Sequence, residues 1–263
     1  MQDASTLFDL SGKVILVTGA TRGIGLACAE LLASQGATLI ISSRKQDACD
    51  AVAAQLTTDV SSNSKGNKAI GMACHLGEID QIQQLWKDIE ERFGQIDVVL
   101  NNGATNPHFG PIYDTDLAAF QKTCDVNIRG YFYMCSLASK LMAKNGGGSI
   151  INVASVNGVI PGLYQGIYSI TKAAVISMTK AFAKECSGMK VRVNAILPGA
   201  TDTKFASALI QNEAILQSLL THVPMNRVAK PSEMAGTVLY LASEASSYTT
   251  GACINVDGGY LTV

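Results

Sequence analysis

Short apolar runs rich in β-branched residues recur at residues 13–18, 37–44, 69–76, 96–100, 149–154, 191–197 and 252–256. Such continuous runs suit parallel strands covered on both faces. Between them, at 26–33, 79–93, 117–144, from Tyr168 onward, and at 201–223 and 231–243, apolar residues return at helical spacing. Strands alternating with helices in this way predict the α/β class: one doubly wound, mainly parallel seven-stranded sheet with helices on both faces. No linker divides the chain, so residues 1–263 read as one domain, with 57–67 a polar surface loop and about 200–225 a helical lid over a site.

Composition narrows the function. Hydrophobic residues make up 48% and charged residues only 16%, which leaves little charge to cover a monomer's surface and predicts burial of some of it in an oligomer. A net charge of -1 without basic runs argues against nucleic acid or an anionic membrane as partner. The chain opens without a charged-then-apolar leader, and nowhere does an apolar run approach the roughly 18 residues of a membrane span, so a cytoplasmic protein is expected. The seven cysteines are scattered and cluster neither with each other nor with histidine, which predicts reduced thiols and no metal site.

The first strand runs straight into Gly19-Ala20-Thr21-Arg22-Gly23-Ile24-Gly25 and then a helix. Glycines there permit a tight turn and let backbone N–H groups approach a pyrophosphate, whose charge a helix amino terminus favours; in this strand-to-helix context the motif predicts a dinucleotide site and the Rossmann arrangement. The second strand ends at Ser43-Arg44 where an enzyme using NAD places an acidic residue for the ribose 2′-hydroxyl. With Arg22 in the glycine turn, two guanidinium groups near one ribose point to the 2′-phosphate of NADP(H), a solvated surface charge being the alternative for either. Asn101 to Ala104 end the fourth strand, where backbone comes close to the adenosine half.

Tyr168 and Lys172 lie four apart on one helical face, and no other of the eight tyrosines has a lysine four residues on. An ammonium beside a phenol stabilises the phenolate and lowers a pKa of about 10 toward the working range of an acid/base group. Ser155 follows the fifth strand, at the sheet end where open α/β folds place their sites. Asn127 sits inside the helix at 117–144, where a buried amide either caps an irregularity or holds water beside Lys172. Trp86 reads as a packing residue and His108 as a solvated loop residue.

Taken together, Thr18-Gly19-x-x-x-Gly23-Ile24-Gly25, Asn101-Asn102, Asn127, Ser155, Tyr168-x-x-x-Lys172 and Pro198-Gly199 with Thr201 and Thr203 resemble the short-chain dehydrogenase/reductase family from about residue 10 to the carboxyl terminus. The resemblance implies hydride transfer between nicotinamide C4 and a carbonyl or alcohol carbon. Tyr168 would be the general acid/base, Ser155 would bond the substrate oxygen, Lys172 would lower the tyrosine pKa and hold the nicotinamide ribose, and Asn127 would anchor water next to Lys172. Gly19, Thr21, Arg22, Gly23, Ile24, Gly25, Ser43, Arg44, His75, Leu76, Asn101, Gly103, Pro198, Gly199, Thr201 and Thr203 would join Tyr168 and Lys172 in binding the cofactor. Two positions depart from the family pattern: Gly103-Ala104 stands where Ala-Gly is usual, and His75 stands where most members carry an aspartate that contacts the adenine amino group.

The segments 42–45, 74–77 and 106–110 look like those of the carbonyl reductases grouped with NADP-dependent retinol dehydrogenase. The substrate expected on this basis is a small apolar ketone or aldehyde, or the matching secondary alcohol, in a pocket of Val156, Ile160, Leu163, Tyr164, residues 106–110 and Phe205. An alternative is a 3-oxoacyl-thioester reductase whose acyl-carrier-protein partner would need the basic Lys140 and Lys144; another is a non-catalytic NADP-binding scaffold. The family habit implies a homo-oligomer, a tetramer before a dimer.

Overall fold

The computed structural model describes residues 3–58, 68–210 and 212–262, so the predicted surface loop lies outside the described residues from 59 to 67. After a single helical turn α1 (Ala4–Leu7), strand β1 (Val14–Thr18) leads into α2 (Gly23–Ser34), β2 (Thr38–Ser43), α3 (Gln46–Thr58), β3 (Ala69–Ala73), α4 (Ile79–Phe93) and β4 (Val98–Asn101). The second half runs α5 (Leu117–Cys124), α6 (Tyr131–Lys144), β5 (Gly148–Val153), α7 (Gly166–Cys186), β6 (Val191–Pro198), the short α8 (Ser207–Ile210) and α9 (Glu213–Leu220), α10 (Ser232–Ala242) and β7 (Cys253–Val256).

All seven strands are parallel and stand in the order β3-β2-β1-β4-β5-β6-β7, so the sequence of strands is laid down outward on either side of the β1–β4 pair. Alternate residues of each strand feed two cores. Ile15 and Val17 pack with Leu39, Ile41, Leu100 and Ile196 beneath α2, α3 and α10, whereas Val14 and Leu16 pack with Ile40, Val99, Ile150 and Val193 beneath α4, α6 and α7. Strands buried on both faces explain why they read as unbroken apolar runs. Trp86 lies in the second core with its indole N–H on the Met134 sulfur at 3.3 Å, a packing residue as expected.

Helix 117–144 is not a single α-helix. Residues Asp125–Gly130 form a wider π turn between α5 and α6, with Asn127 fully buried inside it. The turn docks on residues 75–77: Gly130 lies so close to the Leu76 carbonyl that a side chain there would collide with it, and the Arg129 guanidinium donates to the Gly77 carbonyl at 2.8 Å. The expected lid is likewise broken, into a 3-10 turn at Lys204–Ala206 followed by α8 and by α9, a new helix whose start Asn212 caps by accepting the Ile215 N–H.

Candidate active site

The carboxyl ends of β1, β2, β4 and β5 open onto one cavity of about 600 Å³. Its floor is the glycine turn. Gly19 and Gly23 adopt φ of 63° and 58°, conformations that favour glycine, and a Cβ on Gly19 would lie 2.8 Å from the Asn102 amide. Gly25 lies within α2, where any side chain would run into the Gly19 carbonyl, so it lets the helix pack on the turn and does not face the cavity. The turn is tied to the end of β4: Asn102 donates from its side chain to the Thr18 and Gly19 carbonyls at 2.9 and 3.1 Å, and Thr18 Oγ1 accepts from the Asn102 and Gly103 backbone at 2.9 and 3.1 Å.

The clamp is made by the side chain of Asn102, not by that of Asn101. The Asn101 side chain is buried and donates to Asn152 Oδ1 at 2.9 Å, across the register pair Asn101–Asn152 of β4 and β5. The pleat turns successive side chains to opposite faces, so Asn102, not Asn101, reaches the glycine turn. The same contact accounts for Gly103: a Cβ there would lie 3.1 Å from Leu76 Cδ1 and 3.3 Å from the Gly19 nitrogen.

The cavity is lined by Thr21, Arg22, Ile24, Ser43, Arg44, Lys45, His75, Leu76, Lys122 and Val126, and by Tyr168, Lys172, Thr203, Lys204 and Phe205. No aspartate or glutamate among the described residues lines it. Arg22 and Arg44 are exposed and have no carboxylate partner among the described residues. Thr21 Oγ1 meets Ser43 Oγ at 3.3 Å and joins the two segments that carry them. Pro198, Gly199 and Thr201 lie outside the cavity wall. Thr201 donates to the Gly199 carbonyl at 3.0 Å and Gly199 packs on Asp257, so these residues shape the turn that brings Thr203 to the site. Sequence reasoning missed Lys122, which becomes visible only once the helix face carrying Val126 is known to turn inward.

At the catalytic end the Ser155 hydroxyl accepts the Asn157 N–H at 3.1 Å, which caps the turn Val156–Gly158, and it favours the ionised form of the Tyr168 phenol. Lys172 is buried, donates to the Val153 carbonyl at 2.6 Å, and lies 5.1 Å from the Tyr131 ring centre and 5.5 Å from that of Tyr168. Asn127 Nδ2 donates to the Thr105 carbonyl at 2.9 Å and to Thr171 Oγ1 at 3.1 Å, while Oδ1 accepts the Thr105 N–H at 2.9 Å. Both of its donor hydrogens are therefore engaged, and the side chain clamps the loop after β4 to the helix of Tyr168 instead of holding water through a free N–H. Phe205 packs over Tyr168 at 5.5 Å, and Phe109 meets Tyr164 edge-on at 6.0 Å. His108 contacts the Pro111 carbonyl at 3.1 Å and so braces its own loop.

The arrangement has counterparts. The family model described as Enoyl-(Acyl carrier protein) reductase matches residues 19–261. A rabbit (Oryctolagus cuniculus) protein named Dehydrogenase/reductase SDR family member 4 is 36% identical, over 95% of this chain and 94% of its own. The chain belongs to the short-chain dehydrogenase/reductase family. A gluconate 5-dehydrogenase from Burkholderia cenocepacia, solved in complex with NADP and tartrate, superposes with a TM-score of 0.92 at 28% identity, covering 99% of this chain and 100% of that one. A short-chain type dehydrogenase/reductase from Mycobacterium marinum superposes with a TM-score of 0.88 at 36% identity, with 97% of both chains covered. The protein is thus an oxidoreductase of this family, and no helix among the described residues is long and apolar enough to cross a membrane.

In this dehydrogenase/reductase the charges behave differently from the simple expectation of a lowered tyrosine pKa. Burial pushes the Tyr168 phenol above its ordinary value, opposed only in part by the Ser155 hydrogen bond. Burial also pulls the Lys172 ammonium down, from 10.5 to about 7. Desolvation disfavours both ions, and at this separation it outweighs their mutual attraction. A consequence for stability follows. Between about pH 7 and pH 10.5 the unfolded chain holds a proton at Lys172 that the folded chain lacks, so ligand-free stability rises with pH across that window and the burial cost is complete below about 7. Lys172→Met should therefore stabilise the ligand-free fold at pH 6 by about 1–4 kcal/mol, the gain shrinking as pH approaches 10. Urea denaturation at both pH values measures this; a variant equally destabilised at each would show that burial of the charge is not the dominant cost.

Proposed function

We propose that the protein is an NADP(H)-dependent reductase of apolar ketones and aldehydes, working in reverse on the corresponding secondary alcohols. The observation that carries this reading is the cavity itself, lined by Arg22, Arg44, Lys45, Lys122, Lys172 and Lys204 without one carboxylate among the described residues. A wall of that charge suits a dinucleotide with an additional phosphate. Gly19, Thr21, Gly23 and Ile24 offer the turn and helix start for the pyrophosphate, Arg22, Ser43 and Arg44 the 2′-phosphate site, and His75 and Leu76 the base site. The neighbour solved with NADP supports the same choice.

The cofactor would supply the hydride at C4 of its reduced nicotinamide. The chain's residues supply the rest. Tyr168, kept protonated by burial, gives its proton to the carbonyl oxygen as the carbon takes the hydride, so that C=O becomes CH–OH. Ser155 donates to the same oxygen, and Lys172 offers its charge to the phenolate left behind. Asn127 positions the loop and the helix on either side.

Of the residues expected to form an apolar pocket, Phe205 lies on the cavity wall over Tyr168, while Phe109, Ile160, Leu163 and Tyr164 are exposed apolar side chains and the Gly110 N–H donates to the Tyr164 carbonyl at 3.0 Å. Tyr164 takes a φ of 62°, unusual for a bulky side chain, within this contact. A panel of aryl ketones, α-dicarbonyls, keto sugars and 3-oxoacyl thioesters tests the assignment through NADPH oxidation. Apolar carbonyls should be turned over with kcat/KM at least about tenfold above keto sugars, since each buried methylene adds roughly 1 kcal/mol; a preference for sugars would sink it. The acyl-carrier alternative is weakened because Lys144, half of its basic patch, pairs with Glu90 at 2.7 Å.

A homo-oligomer, a tetramer before a dimer, goes with this reading. Leu117, Phe120, Phe132 and Ile170 are exposed on α5, α6 and α7 and need cover. Sedimentation as a monomer at micromolar concentration would remove that assignment. The seven free cysteines suit a reducing compartment such as the cytoplasm.

A further inference from the structure

We infer that the base end of the cavity, at His75, does not select for the 6-amino group of adenine, because His75 presents a hydrogen-bond donor there and no carboxylate among the described residues lines the cavity. The inference rests on the NADP(H) reading above. His75 Nδ1 accepts the Gly77 N–H at 3.0 Å. An imidazole nitrogen that accepts carries no proton, so the proton of the neutral ring is on Nε2, and an imidazolium would have to break this bond. Nε2 has no partner among the described residues, and His75 is on the cavity wall.

The ring is held where it is. The His75 N–H donates to Gln81 Oε1 at 2.9 Å, the His75 carbonyl accepts the Glu78 N–H at 2.9 Å, and a Cβ on Gly77 would lie 3.0 Å from the imidazole. Arg129 and Gly130 of the π turn press on the Gly77 and Leu76 carbonyls from behind. The Leu76 N–H, next in the chain, donates to no protein acceptor among the described residues. Lys122, on the same cavity wall, is a donor only.

Next to His75 the groups that can only donate are thus an imidazole N–H, an ammonium and a backbone N–H. They match the ring-nitrogen acceptors of adenine, and give no carboxylate to its 6-amino group. An unsubstituted purine, which keeps those ring acceptors and lacks the amino group, should therefore be accepted about as well as adenine.

The test is an equilibrium titration of the full-length protein, read by the nicotinamide fluorescence of NADPH and of its analogue with unsubstituted purine in place of adenine. The dissociation constants for wild type should agree within about threefold, less than the contribution of one net hydrogen bond to a charged group. His75→Asp restores an acceptor and should shift the ratio by about tenfold or more toward NADPH. A wild-type preference for adenine of tenfold or more, or an unchanged ratio in a folded His75→Asp protein, overturns the inference while leaving NADPH as cofactor. Failure of wild type to bind NADPH overturns the cofactor reading and this inference with it. Should the variant not fold, the wild-type ratio alone decides.

Discussion

Tyr168→Phe is expected to lower kcat for carbonyl reduction by about 10²–10⁴-fold while leaving NADPH affinity within about twofold, the range observed when a positioned general acid is lost. The change removes one oxygen and little else. The ring remains to pack beneath Phe205 and beside the Lys172 ammonium, and Ser155 keeps its bond to the Asn157 N–H. Loss of proton transfer is thereby separated from loss of structure. Because burial raises the phenol pKa, the proton is present throughout the neutral range, and the reduction should draw on it without a nearby pH optimum imposed by tyrosine ionisation. Single-turnover rates with saturating NADPH make the comparison; an unchanged rate in the variant would mean that another group protonates the oxygen.

Removing both cavity arginines should have the next largest effect. Arg22→Ala with Arg44→Ala is expected to weaken NADPH binding by about 10–100-fold and NADH binding by less than about threefold, since a charge-assisted hydrogen bond contributes about 1.5–3 kcal/mol and these are screened by solvent. Neither arginine supports a carboxylate among the described residues, so the fold loses no ion pair in the variant. The gap between the two nucleotides in wild type should also narrow as salt rises from 0.05 to 0.5 M. Fluorescence titration with both nucleotides decides it. Equal weakening of NADPH and NADH would place the arginines on the shared pyrophosphate and remove the 2′-phosphate assignment.

Much of this architecture was legible because the two-sided burial of the sheet writes each strand as an apolar run, and the strong amphipathicity of α4 gives its bounds, Ile79–Phe93, directly. The glycine turn, Ser155, Tyr168 and Lys172 were legible for a related reason: their backbone conformation or spacing is itself local. What was not legible depends on contacts distant in sequence. The π turn around Asn127 is held by Thr105 and Thr171, neither of which the helix pattern can reveal. That the Asn102 side chain and not that of Asn101 reaches the glycine turn follows from the pleat, set by pairing of Asn101 with Asn152. The direction of the Tyr168 shift depended on how deeply α7 is buried, and a spacing of four residues says nothing about depth.

The most direct test of hydride transfer to an apolar carbonyl at Tyr168 is to run the reaction with NADPH deuterated at C4 and an aryl ketone, and to weigh the alcohol formed. One deuterium on the carbinol carbon in wild type, and alcohol formed at least about 100-fold more slowly with Tyr168→Phe, is the predicted result. Alcohol formed without deuterium from either face of the nicotinamide, or made equally by the phenylalanine variant, would contradict the account.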